Sequence, residues 1–305
     1  MNTSAHPAAA SSTLLLQEPI ELDDDSLPGI AANPRAPAAS CDESAPARRP
    51  GDPYRQLYRV LHDLRTVVTQ RDREREAMRR LQREAMRRLQ RESIARLALA
   101  AARGRREALE HGLRVGATAA LIGHALGSPL AWCDDLSDAA RVHDIGNLAV
   151  PEAILAKPGS LDPQEWAAIR RHPLDGARIL GVASDPLHAL AAEVALNHHE
   201  KWDGSGYPAG REGSNIPLSG RIVAVADFVD ALGSRASYRD ALDEGAIFAL
   251  LDLAAGMQFD PAVVAAMHRI RPQLPQLRKR AALHAARAGA GSPPPHWWRT
   301  LAALS

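Results

Sequence analysis

The stretch RIVAVADFVDAL, residues 221–232, holds an apolar run from Ile222 to Val229 that is broken only by the carboxylate of Asp227. Its length and its alanines favour a helix over a buried strand, and a helix apolar nearly all round belongs in a protein interior. A carboxylate buried alone is costly unless something positive neutralises it. The fold therefore has to enclose this helix and bring compensating charge to Asp227.

Other helical signals lead to the same interior. Leu187, Leu190, Ala191 and Val194 form an apolar stripe that His198 continues at i+4, and His199 follows Ala191 and Ala195 on the adjoining flank. His143 continues Leu136, Ala139 and Ala140, with Asp144 beside it. A single inward histidine is usually a hydrogen-bonded core residue, and Asp144 alone could cap a turn. Three such positions in one domain point to a metal centre. Imidazole and carboxylate suit Fe, Mn, Zn or Ni, and the two cysteines, Cys41 and Cys133, make neither a thiolate zinc site nor a disulfide framework. Histidines and carboxylates gathered from several helices suit a polynuclear hydrolytic centre acting at phosphorus.

Strand signals are hard to find. Leu161 precedes DPQE, which predicts Asp162 as N-cap, Pro163 at N1, Glu165 at N3 and a staple from Trp166 back to Leu161. Gly127, Gly146 and Gly256 fall where helices would stop. The predicted fold class is all-α.

Residues 1–52 are rich in Ala, Pro and Ser with an acidic cluster at Glu21–Asp25, which predicts a disordered tail. Residues 53–103 predict one long helix. Tyr54, Leu57, Leu61, Leu64 and Val68 alternate spacings of three and four, and REAMRRLQ occurs at 75–82 and again at 83–90. The first pattern fits a coiled-coil homodimer, and the second, a charged eight-residue repeat, cannot hold one straight heptad seam. A solvated single helix is the other reading. The compact domain is expected over 104–272. The extension 273–305, with Arg278-Lys279-Arg280 and GAGSPPPHWW, is expected to pack weakly or to bind something. A net charge of +1 calls for neither a nucleic-acid polymer nor a membrane partner. With no leader pattern and no run near the ~18 apolar residues of a membrane span, a cytoplasmic protein is expected.

The stretches HDIGNLAVPEAILAKPGSL (143–161), HPLDGARIL (172–180), HHEKWDGSGYP (198–208) and IPLSGRIVAVADFVDAL (216–232) strongly resemble the HD-GYP family. These are phosphodiesterases of the bacterial second messenger cyclic di-GMP, a branch of the HD superfamily, and the resemblance spans residues 104–266. It implies an HD-superfamily helical bundle holding two or three divalent ions, iron or manganese. It places the ligands on His143, Asp144, His172, His198, His199 and Asp227, with His143 and Asp144 central to catalysis. Upstream, EALEHGLRV supplies Glu107 and His111, the glutamate being an extra ligand in trinuclear members. Gly206-Tyr207-Pro208 is implied to shape the substrate side or to contact a signalling partner.

Two departures concern positive charge near phosphate. Asn147 stands where the family has a lysine, and Ala236 stands where it has an arginine; Arg235 is displaced by one position, and Arg239 matches a later basic position. Lys157, Lys201 and Arg211 are loop cations that could compensate. The expected function is hydrolysis of cyclic di-GMP to pGpG and onward to GMP. The alternatives are a catalytically weak or inactive adaptor or cyclic di-GMP receptor, and a phosphohydrolase of another nucleotide.

Overall fold

The computed structural model describes residues 53–157, 159–181, 185–234, 241–287 and 296–302. They form, in order, α1 (Pro53–Ala101), α2 (Arg106–Ala125), α3 (Leu130–Ala140), α4 (Glu152–Leu155), α5 (Pro163–Ile169), α6 (His172–Leu180), α7 (Pro186–Asn197), α8 (Leu218–Gly233), α9 (Glu244–Ala254), α10 (Pro261–Ile270), α11 (Leu274–Arg287) and α12 (Arg299–Ala302). Among the described residues there is no strand beyond two isolated bridges, Asp203 with Glu212 and Ala255 with Phe259. The fold is all-α, and no described helix is long and apolar enough to cross a membrane.

The chain divides into two units, residues 1–64 and 65–305. Of the first, the described part is the opening of α1, where Tyr54, Leu57, Leu61 and Leu64 are each more than half exposed. The tail expected at 1–52 lies outside the described residues.

The second unit is built around α2. From Val115 to Gly123 this helix is buried on every face, and α3, α8, α10, α11 and α12 all contact it. Its run VGATAALIG is made of small and aliphatic residues, which lets several helices approach one axis. Ile94 and Ala98 bring the end of α1 into the same core, joined by Leu136, Ile222, Ile247, Leu251, Met267 and Leu277. Each such aliphatic side chain contributes about 1.5–3 kcal/mol through burial. The expected buried helix over 221–232 is α8. The expected start at Asp162 is α5, whose capping box is complete: Asp162 accepts from the Gln164 and Glu165 N–H groups, and the Glu165 carboxylate accepts from the Asp162 N–H. Trp166 is about half exposed (52%).

Two expectations are corrected. Gly127 and Gly256 do follow helices with positive φ, but Gly146 lies inside a 3-10 turn, Ile145–Ala149. Its role there is close approach, since a Cβ would stand 1.9 Å from the His172 carbonyl oxygen. The described residues 296–302 of the C-terminal extension do not pack weakly. Trp297 and Trp298 are buried, Trp298 almost completely (1%), and Arg299 pairs with the buried Asp134 of α3, its Nε 2.9 Å from Oδ1. Two tryptophans bury a large apolar area, and Asp134 needs a cation once covered. Together these hold α12 against α2.

Candidate metal centre

Five separate chain segments carry the site. His111 projects from α2. His143 and Asp144 lie in the turn that follows α3, His172 opens α6, His198 and His199 close α7, and Asp227 lies mid-way along α8. They converge as two neighbouring groups, one of Asp144, His172, His198 and His199 and one of His111, His143 and Asp227. Within each group the ligand atoms all lie within 4.8 Å of one another.

Asp144 joins the two. Its Oδ1 is 3.2 Å from His172 Nε2 and 3.5 Å from His198 Nε2, and its Oδ2 faces His143 Nε2 at 3.7 Å. On the other side, Asp227 Oδ1 stands 3.3 Å from His111 Nε2 and 3.7 Å from His143 Nε2. One carboxylate therefore presents an oxygen to each group.

The histidine tautomers follow from local structure. His143 Nδ1 is 2.8 Å from the Ala140 carbonyl, His172 Nδ1 is 2.7 Å from that of Ile169, and His198 Nδ1 is 2.9 Å from that of Ala195. A carbonyl can only accept, so each Nδ1 carries the proton and each Nε2 offers a lone pair to the centre. The consequence is two facing lone pairs, His172 Nε2 and His198 Nε2, only 3.3 Å apart. His143 Nε2 is buried with no hydrogen-bond partner. Lone pairs converging without a donor are costly unless a cation sits among them, so these residues fit divalent ions. All the donors are imidazole nitrogens and carboxylate oxygens, a set that iron, manganese and zinc accept alike.

The charges respond to the same geometry. Burial would raise the Asp144 carboxyl, but the facing His143, His172 and His198 hold it well below the usual carboxylate range. Asp227 is likewise lowered against burial by His111 and His143. His199, half-buried beside His198 and His172, is pushed down to about 3 by desolvation and by those two rings. Burial would lower His111, yet Asp227 and Asp230 outweigh it and raise the ring to about 10. The positive charge held on His111 thus faces the carboxylates of Asp227 and Asp230.

Around these residues stand two, Asp230 and Glu200, to which the sequence assigned no site role, and the Gly206-Tyr207-Pro208 turn, to which it did. Asp230, buried on α8, lies 2.7 Å from His111 Nδ1 and accepts two hydrogen bonds from Arg114, at 2.6 and 2.9 Å. Its signal was present, since it lies three residues beyond Asp227 and so shares a helix face with it. Glu200 is buried and accepts from the Ala209 and Arg211 N–H groups at 2.8 and 3.0 Å, which folds the loop that follows α7. Gly206 allows that fold, because a Cβ there would lie 2.3 Å from the Lys201 nitrogen. Tyr207 is thereby laid on His199, ring centroids 4.8 Å apart and planes 23° apart, while its N–H donates to the His199 carbonyl at 3.2 Å. Burial and the nearby Asp144 raise the Tyr207 hydroxyl to about 12, so it stays protonated. Pro208 completes this rim, half-buried.

Not every expected residue joins. Glu107 is exposed in the first turn of α2 and belongs to neither group. Asn147 is half-buried in the turn beyond Asp144, where its carbonyl accepts from Arg103 at 3.1 Å. Lys157 is engaged by Glu165 at 2.6 Å, and Arg211 is exposed. Arg235, Ala236 and Arg239 lie outside the described residues.

A family model described as HD domain matches residues 94–263. The chain is 42% identical over 168 residues to a 3'3'-cGAMP-specific phosphodiesterase of Vibrio cholerae, covering 55% of this chain and 32% of that protein. It is 38% identical over 174 residues to a cyclic di-GMP phosphodiesterase of Thermotoga maritima, covering 57% and 47%. Among solved structures, a cyclic GMP-AMP specific phosphodiesterase of V. cholerae aligns at 17% identity with a TM-score of 0.46, over 70% of this chain and 58% of that one. The chain thus spans about a third to a half of the length of the curated relatives it matches. With the family model laid over the residues that gather the two groups, and with HD at 143–144 and GYP at 206–208, the chain belongs to the HD domain family, in its HD-GYP branch.

Proposed function

We propose that the protein is a metal-dependent phosphodiesterase of the cytoplasm that opens cyclic di-GMP to linear pGpG and carries it onward to GMP in second-messenger signalling. The observation that carries this reading is the pair of ligand groups sharing Asp144, with lone pairs from three histidines aimed between them. The relatives named for cyclic di-GMP and 3'3'-cGAMP support the substrate class. Divalent ions held there, iron or manganese, supply Lewis-acid polarisation of a phosphodiester and activation of water near neutral pH. His172, His198, His199 and Asp144 would hold one ion, and His111, His143 and Asp227 a second. A third rests on Glu107, whose carboxylate would have to turn inward. Tyr207 keeps its proton and forms the substrate-side rim against His199. The partners implied are cyclic di-GMP and a second copy of the chain through α1.

A second reading is favoured by Asn147 and Ala236, which remove two expected cations: a cyclic di-GMP receptor or signalling adaptor with the same centre. The two are separated by turnover of cyclic di-GMP and 3'3'-cGAMP, with metal content measured on the same samples after anaerobic loading with Fe(II) or Mn(II). The expected result is hydrolysis that disappears, together with the bound metal, in the His143→Ala/Asp144→Ala double variant. Full metal occupancy with both nucleotides left intact would exclude the cyclic dinucleotide phosphodiesterase and leave the receptor or a phosphohydrolase of another nucleotide.

A further inference from the structure

Arg170 caps the C-terminal end of α5, two residues before the ligand His172. Its guanidinium carbon lies 4.6 Å from the centroid of the Tyr207 ring, which itself stacks on His199. Guanidinium, phenol and imidazole thus form a connected set running from an exposed side chain to the group around Asp144. Among the described residues Arg170 forms no ion pair, whereas its neighbours Lys157 and Arg171 face Glu165 and Asp175. Among the described residues the Arg170 guanidinium makes no hydrogen bond besides this ring contact. Its in-plane N–H donors stay available, in the fork that suits a phosphate.

A cyclic dinucleotide brings two phosphates to such a site. One goes to the ligand groups, and the other needs a cation that Asn147 cannot supply. We propose that Arg170, held by Tyr207, is the specificity-determining residue that binds the phosphate not being cleaved. This rests on the phosphodiesterase reading and deepens it by naming what sets apart substrates with two phosphates.

The test compares wild type, Arg170→Gln and Arg170→Lys, all metal-loaded, on cyclic di-GMP and on bis(p-nitrophenyl) phosphate, which carries one phosphate. With Arg170→Gln, KM for cyclic di-GMP should rise about tenfold to a hundredfold, the worth of a charge-assisted hydrogen bond. The accompanying kcat should stay within about twofold, and the loss in kcat/KM on the one-phosphate substrate should be at least about tenfold smaller. Arg170→Lys should recover part of the KM. Equal losses on both substrates, loss of bound metal, or an unchanged KM would each overturn the proposal. If wild type cleaves bis(p-nitrophenyl) phosphate but no cyclic dinucleotide, the substrate reading fails separately. Equilibrium dialysis with cyclic di-GMP then decides: weaker binding in Arg170→Gln sustains the role, and equal or absent binding ends it.

Discussion

Asp230 belongs to neither group of ligands, yet it controls one of them by its contact with His111. By accepting from His111 Nδ1 at 2.7 Å it turns Nε2 toward Asp227, and Arg114 fixes the carboxylate from behind. Removing a partner of this kind typically costs 10–100-fold in metal affinity. Asp230→Ala should therefore weaken the ion held by His111, His143 and Asp227 by about that factor, while the ion of the Asp144 group stays; metal stoichiometry under graded chelation reads both. His111 also sets a pH dependence. Burial opposes its protonation, but Asp227 and Asp230 raise it from 6.5 to about 10. Metal-free protein therefore gains stability from this proton below pH 6.5 and loses it as pH climbs toward 10. An incoming ion has to displace the same proton, so affinity should rise with pH across that window. Calorimetry in buffers of different ionisation enthalpy should register proton release; pH-independent binding without it would refute the assignment. That His143 and His198 face the interior was legible in the sequence, because apolar stripes ending in them can be read from spacing. The tautomers were not, because they depend on carbonyls whose direction only the folded turn defines.

At the scale of elements, the site depends on how closely two segments approach. The turn carrying His143 and Asp144 lies against the start of α6, which carries His172, and Gly146 is the point of contact. A Cβ there would sit 1.9 Å from the His172 carbonyl oxygen and 2.6 Å from the Gly176 nitrogen, both backbone atoms that cannot swing aside. Gly146→Ala should lower stability by about 1–3 kcal/mol or more through overpacking and reduce metal occupancy, since Asp144 would be pushed away from His172. Denaturant melts with metal analysis test both; a melt unchanged from wild type would show that the turn yields. The start of α5 at Asp162 and the buried run of α8 were readable from the sequence, because caps and periodicity are local. Gly146 reads in sequence as a helix stop, since nothing nearby announces that another helix will press against it.

For the whole molecule, α1 carries an apolar row in the open. Tyr54, Leu57, Leu61, Leu64 and Val68 are each more than half exposed, at the three-four spacing of a coiled-coil seam. Pairing with a second copy would cover that row. Sedimentation equilibrium should show a dimer at micromolar concentration that dissociates in Leu57→Glu/Leu61→Glu, and a monomeric wild type would leave α1 a solvated helix. The C-terminal tryptophans make the opposite point. HWW after three prolines reads as a loose extension, but Trp298 is buried against the bundle and Arg299 neutralises Asp134.

The sequence by itself determined that the chain is helical, where its helices carry histidine and carboxylate, and that Asp227 required a positive partner, because periodicity, capping and the cost of a buried charge are properties of short segments. Only the tertiary structure decided that Asp144 would be shared between two groups, that Asp230 would orient His111, that Glu107 would stay outside, and that Arg170 would reach Tyr207. Those outcomes depend on distances of about 3–5 Å between side chains far apart in sequence, set by helix packing rather than by local pattern.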